Sequence, residues 1–358
     1  MTAKIRVAVL LGGQSGEHEV SLLSAQSVLA ALDPARYDVV PIGITRAGQW
    51  ITGDDPLAAL LAAADQQRLP AGVARSHDTT LIARQREIVP LHAARQFDVV
   101  FPVLHGPNGE DGSIQGLLQL AGVPYVGCGV AASAVGMDKG LMKAAFAHAG
   151  LPIVPWQLLR RSDWHARPAA IIAQLEAALP YPLFVKPANL GSSVGISKAV
   201  DRATLSAAIT LAASHDRRIV VEQGIDAREI EISVLGNDQP RTSVPGEIIP
   251  SNEWYDYDAK YLSGASRIVI PADIPAATAA EVAQLAIRAF AAVDGAGLAR
   301  VDFLLDRSSG AVWLNEINTM PGFTSVSMYA KMWQASGLSY AALVDELIAL
   351  ALERHQRG

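Results

Sequence analysis

Cysteine is nearly absent: the 358-residue chain has one, Cys128. A lone thiol excludes an internal disulfide and a Cys-rich zinc site, and it fits a reducing compartment. A basic excess is also missing. Lys and Arg number 29 against 35 Asp and Glu, a net charge of −6, whereas binding nucleic acid or an anionic membrane needs a basic face. No uncharged apolar stretch reaches the ~18 residues of a membrane span. The N-terminal apolar run stops at Gly12, too early for a signal-peptide core with its cleavage site, and reads as a first buried strand. There is no repeat, no Walker A Gly-Lys-Ser/Thr and no GxGxxG, and the last absence argues against a nicotinamide dehydrogenase. The expectation is a soluble, cytoplasmic protein with neither nucleic-acid nor membrane partner.

What is present is apolar mass. Half of the residues are hydrophobic, enough for sizeable cores, and at ~100–200 residues per domain the length implies two or three. In the first third, apolar runs at 5–11, 39–44 and 97–104 read as strands and 20–32 as a helix, the alternation of a parallel, doubly wound sheet. Residues 53–95 are Ala-rich and weakly patterned, an elaboration of this domain. A helix starts near Asp138 and stops at Gly150, with Pro152 beyond it. Thereafter short alternating runs at 183–185, 219–222, 229–235, 300–305 and 312–317 predict antiparallel strands, with helices over 276–292 and 340–353. The fold class is α/β followed by α+β, with boundaries near 130 and 220.

Six segments carry candidate chemistry. ARVDFLLD (299–306) and AVWLNEINTM (311–320) flank the turn RSSG, which brings Glu316 near Asp302. Parity places Glu316 with Asn318 on one face, and Arg300 with Asp302 on one face of the partner strand. Two carboxylates and an amide oxygen are hard ligands suited to Mg²⁺ shared with phosphates; a solvated face neutralised by Arg300 is the alternative. FVKPANLGSSVGIS (184–197) ends a strand at Lys186 and continues in a loop with Gly191, Ser192, Ser193 and Gly195. Its backbone N–H groups and hydroxyls suit an anion, and a merely flexible turn is the other reading. In VLLGGQSGEHEVSLLS, Glu17 and Glu19 stand where a helix begins, either as ligands or as partners of the helix dipole. VLHGPNGEDGSIQGLL (103–118) places His105 at a strand end, as a ligand-orienting or a structural histidine, and Glu110 and Asp111 at a helix start. SNEWYDYDAKYLSG (251–264) gathers aromatic residues in a loop suited to a water-excluding lid. In GMDKGLMKAAF, Lys139 opposes the helix dipole in the first turn, which an anion nearby would relieve.

In order along the chain, GGQSGEHEVS, HGPNGEDG, MDK, VKPANLGSSVG, WYDYDAKY, RVDF and NEINTMPGFTSVSM resemble the D-alanine–D-alanine ligases of the ATP-grasp superfamily over essentially the full length. Residues 53–95 resemble the longer branch of that family, and Ala330 replaces a proline of some relatives. The resemblance implies an N-terminal doubly wound parallel sheet (1–130, first D-alanine) followed by a two-part ATP-grasp module with antiparallel sheets. The phosphate loop would lie in 131–220, and the lid and metal site in 221–358.

The same resemblance assigns roles. ATP would lie between two antiparallel sheets, its phosphates on Lys139, Lys186 and the loop with Gly191 and Ser193. Glu222 would face the adenine amino group and Glu229 the ribose hydroxyls. Two Mg²⁺ ions, with Mn²⁺ as a substitute, would bind Asp302, Glu316 and Asn318. Glu17 would hold the ammonium of the first D-alanine, with His105 beside that substrate, and Glu17, Ser192 and Tyr261 would form a hydrogen-bonded set. Lys260 and Ser327 would hold the second D-alanine's carboxylate, and Arg300 with the Gly322 N–H would stabilise the oxyanion. Tyr261 resembles the dipeptide-forming branch, which favours alanine over D-lactate or D-serine as second substrate. The family also implies a homodimer. A carboxylase of the same superfamily would leave WYDYDAKY and GGQSGEHEVS unexplained, and a non-catalytic ligand-binding protein would have no use for Asp302, Glu316 and Asn318.

Overall fold

The computed structural model describes residues 3–53, 55–68, 96–191, 194–249 and 267–357. The chain divides into two compact units, Met1–Val130 with Met320–Gly358, and Ala131–Thr319.

In the first unit, β1 (Ile5–Gly12), β2 (Tyr37–Ile44), β3 (Trp50–Ile51) and β4 (Val99–Pro102) form one sheet in the order β3-β2-β1-β4. β2 and β4 flank β1 in parallel, while β3 adds an antiparallel edge. β1 reads IRVAVLLG without alternation because both its faces are covered. On one face Leu10, Ile42 and Val100 pack with Ile114 and Leu118 of the helix Ser113–Ala121. Val7, Val9 and Leu11 on the other face are equally buried, and helices His18–Ala31 and Tyr340–Arg357 pack on each other and on β1 and β4 respectively. β1 ends at Gly12 with φ +90°, where a Cβ would lie 2.2 Å from the Ile44 carbonyl oxygen. The first glycine of GGQSGE is thus a steric requirement of the turn.

The boundary expected at 130 coincides with the edge of this unit, but residues 320–358 group with it and not with 221–319. The reason is burial. Helix Tyr340–Arg357 hides Leu343, Val344, Leu347 and Ile348. Its Asp345 accepts the Tyr37 hydroxyl at 2.7 Å and pairs with Arg36, and its Arg354 stacks 4.6 Å from the Tyr125 ring centroid.

The second unit holds two antiparallel sheets, and the expected break near 220 falls inside it. The smaller sheet has the order β5-β8-β6-β7, from β5 (Trp156–Arg160), β6 (Leu183–Pro187), β7 (Ser197–Ala199) and β8 (Arg218–Gln223). Helices Pro168–Ala178 and Arg202–His215 cover one face, packing Ile171, Leu175, Leu205 and Ile209 on Leu183, Val185, Ile219 and Val221. Alternation sends Lys186 and Glu222 to the opposite face.

The larger sheet runs β12-β11-β9-β13-β14, with β10 also on β9. Its strands are β9 (Ala227–Gly236), β10 (Arg241–Thr242), β11 (Gly246–Ile249), β12 (Arg267–Val269), β13 (Gly297–Asp306) and β14 (Val312–Asn318). Helix Ala276–Ala292 packs on β9, β13 and β14 through a face that includes Val282, Leu285 and Phe290. The expected elaboration at 53–95 opens with the helix Pro56–Arg68; its remainder, 69–95, lies outside the described residues, as does the lid segment 251–264. Among the described residues no single helix is long and apolar enough to cross a membrane.

Candidate active site

The larger sheet carries a charged face. β13 pairs with β14 so that Arg300 opposes Asn318 and Asp302 opposes Glu316, which leaves Glu316 near Asp302 as expected. On its other side β13 pairs with β9, Arg300 opposite Ser233, Asp302 opposite Glu231 and Leu304 opposite Glu229. Glu229, Glu231, Asp302 and Glu316 therefore share one face with a single guanidinium. Arg300 donates to both oxygens of Asp302, at 2.7 and 2.6 Å, and pairs with Glu231 at 3.1 Å. Burial opposes its charge, but Asp302 and Glu231 raise its pKa well above the ordinary value.

The alternation of β14 is broken in its middle. Leu314 opposes Phe303 and Glu316 opposes Asp302, so Asn315 is an extra residue, a β-bulge. Before the bulge the even-numbered Val312 and Leu314 face the core; after it the even-numbered Glu316 and Asn318 face the charged side. Among the described residues no three His, Cys, Asp or Glu side chains form a ready-made metal cage. Two carboxylates and one amide oxygen fall short of a full shell. That incomplete set fits a cation that keeps waters and shares phosphate oxygens, and the carboxylate excess on this face fits the charge of such a cation.

On the smaller sheet, Lys186 and Glu222 are diagonal neighbours, since Phe184 opposes Glu222 and Lys186 opposes Val220. Lys186 pairs with one Glu222 oxygen, and Lys143 with the other at 2.8 Å. Burial would raise the Glu222 carboxyl, but Lys143 and Lys186 outweigh it and hold it down at about 2. Burial likewise opposes the Lys186 ammonium, and Glu222, then Glu316 and Glu229, carry its pKa above the usual lysine value. Lys139 begins the helix Lys139–His148, which Asp138 caps by accepting from the Gly140 and Leu141 N–H groups, both at 3.0 Å. The Lys139 ammonium donates to the Leu190 carbonyl at 2.6 Å, and its N–H to Ala188 at 2.8 Å. It thus sits at the stem of the loop that contains Gly191. Ser192 and Ser193 lie outside the described residues, as do Lys260 and Tyr261.

The first unit gathers the other candidates. Glu17 is the N-cap residue of His18–Ala31, yet its side chain makes no cap hydrogen bond. Its carboxylate comes within 3.2 Å of the position a Cβ on Gly106 would take, beside the turn that follows His105. Ser15 links the two segments, donating to the His105 carbonyl at 2.7 Å and accepting the Glu17 N–H at 3.1 Å. Both His105 ring nitrogens are engaged, Nδ1 with the Met320 carbonyl at 3.1 Å and Nε2 with Ser24 Oγ at 3.0 Å. The carbonyl only accepts, so Nδ1 carries the proton and Nε2 accepts from the serine. Burial lowers the His105 pKa to about 4, in keeping with a neutral ring. Ser24 Oγ also accepts the Phe323 N–H at 3.2 Å, so His105 and Ser24 together hold the segment on either side of Gly322. Phe323 is anchored further by the Phe101, Tyr329 and Tyr340 rings. Ser327 Oγ lies 3.4 Å from where a Gly322 Cβ would be, and it accepts the Thr324 N–H at 3.1 Å.

Sequence reasoning passed over Ser24, Lys143 and Glu231. Ser24 looks like one more small residue in a helix, and Lys143 like a solvated one. Glu231 alternates with Glu229 through AREIEIS, and that period-two signal was sufficient to place both on one face. Glu110 is also more than a helix-start acid: its Oε1 accepts the Gly106 N–H at 3.0 Å and closes the turn.

The family descriptions D-ala D-ala ligase N-terminus and D-ala D-ala ligase C-terminus match residues 6–128 and 145–349. A D-alanine--D-alanine ligase of Heliobacterium modesticaldum is 54% identical over 353 residues, covering 99% of this chain and 96% of the relative. One of Ruminiclostridium cellulolyticum is 49% identical over 365 residues, covering 99% and 97%. The structure of the D-alanine-D-alanine ligase from Coxiella burnetii superposes with a TM-score of 0.80 at 37% identity, over 99% of this chain and 95% of that one. The VanG D-Ala:D-Ser ligase from Enterococcus faecalis does so with a TM-score of 0.82 at 35% identity, over 98% and 100%.

Proposed function

The chain belongs to the D-alanine–D-alanine ligase family, and from that premise we propose how its residues serve the ATP-dependent joining of two D-alanine molecules. The product, D-alanyl-D-alanine, is a peptidoglycan precursor. The observation that carries the reading is the charged face built by Arg300, Asp302, Glu316 and Asn318 on adjacent strands.

A carboxylate is a poor electrophile and must be activated. A carboxylate oxygen of the first D-alanine attacks the γ-phosphorus of ATP, ADP leaves, and an acyl phosphate results. Lys139 and Lys186, with the backbone of the loop at Gly191 and with Ser193, hold the phosphates and offset the spreading negative charge. Glu222 accepts from the adenine amino group and Glu229 from the ribose hydroxyls. Asp302, Glu316 and Asn318 would hold Mg²⁺, as two ions that Mn²⁺ replaces, and these supply charge neutralisation at the phosphates.

The neutral amine of the second D-alanine then attacks the acyl carbon, and phosphate leaves. Glu17 holds the ammonium of the first substrate, with His105 shaping the backbone around it. Lys260 and Ser327 hold the carboxylate of the second. Arg300 and the Gly322 N–H donate to the oxyanion, a group that develops only along the reaction path. Ser192 and Tyr261 complete the set with Glu17. The loop at 251–264 serves to exclude water, because an acyl phosphate hydrolyses readily. We place the reaction in the cytoplasm, where ATP is available, and expect a homodimer.

Alanine as second substrate is supported by the identity gradient: relatives near half identity carry the alanine name, whereas the serine ligase stands at 35%. The test is phosphate release from ATP and Mg²⁺ with D-alanine, with L-alanine, and with D-alanine plus D-lactate or D-serine. Release with D-alanine and not L-alanine, with dipeptide as product, is expected. A dominant mixed product at neutral pH would move the chain to another branch.

A further inference from the structure

Lys143 has no part in the roles above, yet it is among the most completely buried large side chains of the protein, at 1% exposure. It rises from the helix Lys139–His148, one turn beyond Lys139. Its ammonium meets Glu222 Oε2 at 2.8 Å while Lys186 meets Oε1. One buried carboxylate therefore holds two lysines, one on each oxygen.

The two lysines differ in access. Lys186 is 13% exposed and sits at the end of its strand, where the chain enters the loop at Gly191; Lys143 is sealed. A Lys186 bound to a phosphate has to turn away from Glu222. With no other partner, that carboxylate, 4% exposed, would be left as an uncompensated buried charge, one of the costliest arrangements in a protein interior. Lys143 removes that obstacle because it stays on the opposite oxygen throughout.

We propose that Lys143 is the standing counter-ion of Glu222, a positioning residue that frees Lys186 to exchange its carboxylate partner for a nucleotide phosphate. This rests on the assignment of Lys186 to the phosphates. Lys143 itself touches no substrate.

The experiment compares equilibrium binding of ATP and of adenosine to the full chain, without D-alanine, and reads the ratio of the two affinities. That ratio isolates the phosphate contribution from whatever Glu222 does at the base. In Lys143→Met, Glu222 keeps Lys186, and the ratio is expected to fall at least about tenfold with adenosine binding little changed. Lys143→Arg should retain the wild-type ratio. Glu222→Gln, alone or combined with Lys143→Met, no longer holds Lys186, so both variants should keep or regain the wild-type ratio even where adenosine binding suffers. An unchanged ratio in Lys143→Met, or ATP and adenosine weakened in step, would reduce Lys143 to a structural residue and overturn the proposal. So would a Glu222→Gln ratio as low as that of Lys143→Met, an arm that stands even if Lys143→Met does not fold. Lys186→Met is the separate control: a wild-type ratio there overturns the phosphate assignment itself, and with it this proposal.

Discussion

Glu316 stands directly across from Asp302 because Asn315 adds one residue to β14 between Leu314, the partner of Phe303, and Glu316. In an unbroken strand Val312, Leu314 and Glu316 would share a face, and the carboxylate would point where the core lies. One inserted residue thus lets a single short strand serve an apolar layer at one end and a polar one at the other.

Deleting Asn315 should restore strict alternation while keeping Glu316 and Asn318 on the charged face, since Glu316 would then follow Leu314 directly. With no charge moved into the core, the cost should stay within about 1 kcal/mol. Urea unfolding would register it, and a loss of several times that size would show that the extra residue is itself required by the strand.

Glu316→Gln preserves the size and shape of the side chain, replaces one acceptor oxygen with a donor amide and removes its charge. The fold should persist, with a thermal midpoint close to the parent's. ATP turnover in the presence of D-alanine should fall by at least ~100-fold, since an ion stabilising phosphoryl charge is worth several kcal/mol. Turnover at the parent rate would sink the metal assignment.

Ser24→Ala removes the hydroxyl that serves His105 Nε2 and the Phe323 N–H at once. A loss of about 1–3 kcal/mol in stability is expected from two buried groups left unsatisfied. Because the segment carrying Gly322 loses its tether, kcat should drop while the KM for ATP stays near the parent value. The same loss in both constants would point to general loosening instead.

The pH dependence of stability has a defined sign. His105 titrates near 4 when folded, its protonation opposed by burial, against ~6.5 in an unfolded chain. Between those values the unfolded state binds the extra proton, so stability is full above about 6.5 and is lost as pH falls toward about 4, by roughly 3 kcal/mol. Glu222, held at about 2 by its lysines once they overcome burial, adds a second loss below the ordinary carboxylate range, from ~4.3 downward. Urea midpoints between pH 7 and 4 should therefore decline less steeply in His105→Gln than in the parent.

Much of this was legible in the chain. The strands at 5–11, 39–44, 183–185 and 219–222 are found as expected, because each is short, apolar and bounded by a turn or a helix stop. The nearness of Asp302 and Glu316 follows from the turn length as expected, but their standing directly opposite each other depends on the bulge. The bulge was not legible, since nothing in VWLNEIN distinguishes an extra Asn from an ordinary strand residue. Nor was the pairing of Lys143 with Glu222, whose positions lie far apart in sequence and meet only through tertiary packing. The place of 320–358 escaped for a similar reason: the periodicity of helix Tyr340–Arg357 announces an apolar face without naming the surface it covers. Of the two readings open for His105, ligand-orienting and structural, the contacts of its ring with Met320 and Ser24 belong to the structural one.

That C-terminal segment bears on how the molecule is made. The chain leaves the first unit at Val130 and re-enters it at Met320, so the second unit is an insertion within the first. Ribosomal synthesis proceeds from the N-terminus, and domains fold largely as they emerge. The inserted unit is therefore complete in sequence while the one that contains it still lacks Phe323, Asp345 and Arg354, the residues that close it. Birth order is inverted: the unit that starts first is the unit that finishes last, and until residues 320–358 emerge it presents the surfaces of β4 and helix His18–Ala31 that they cover.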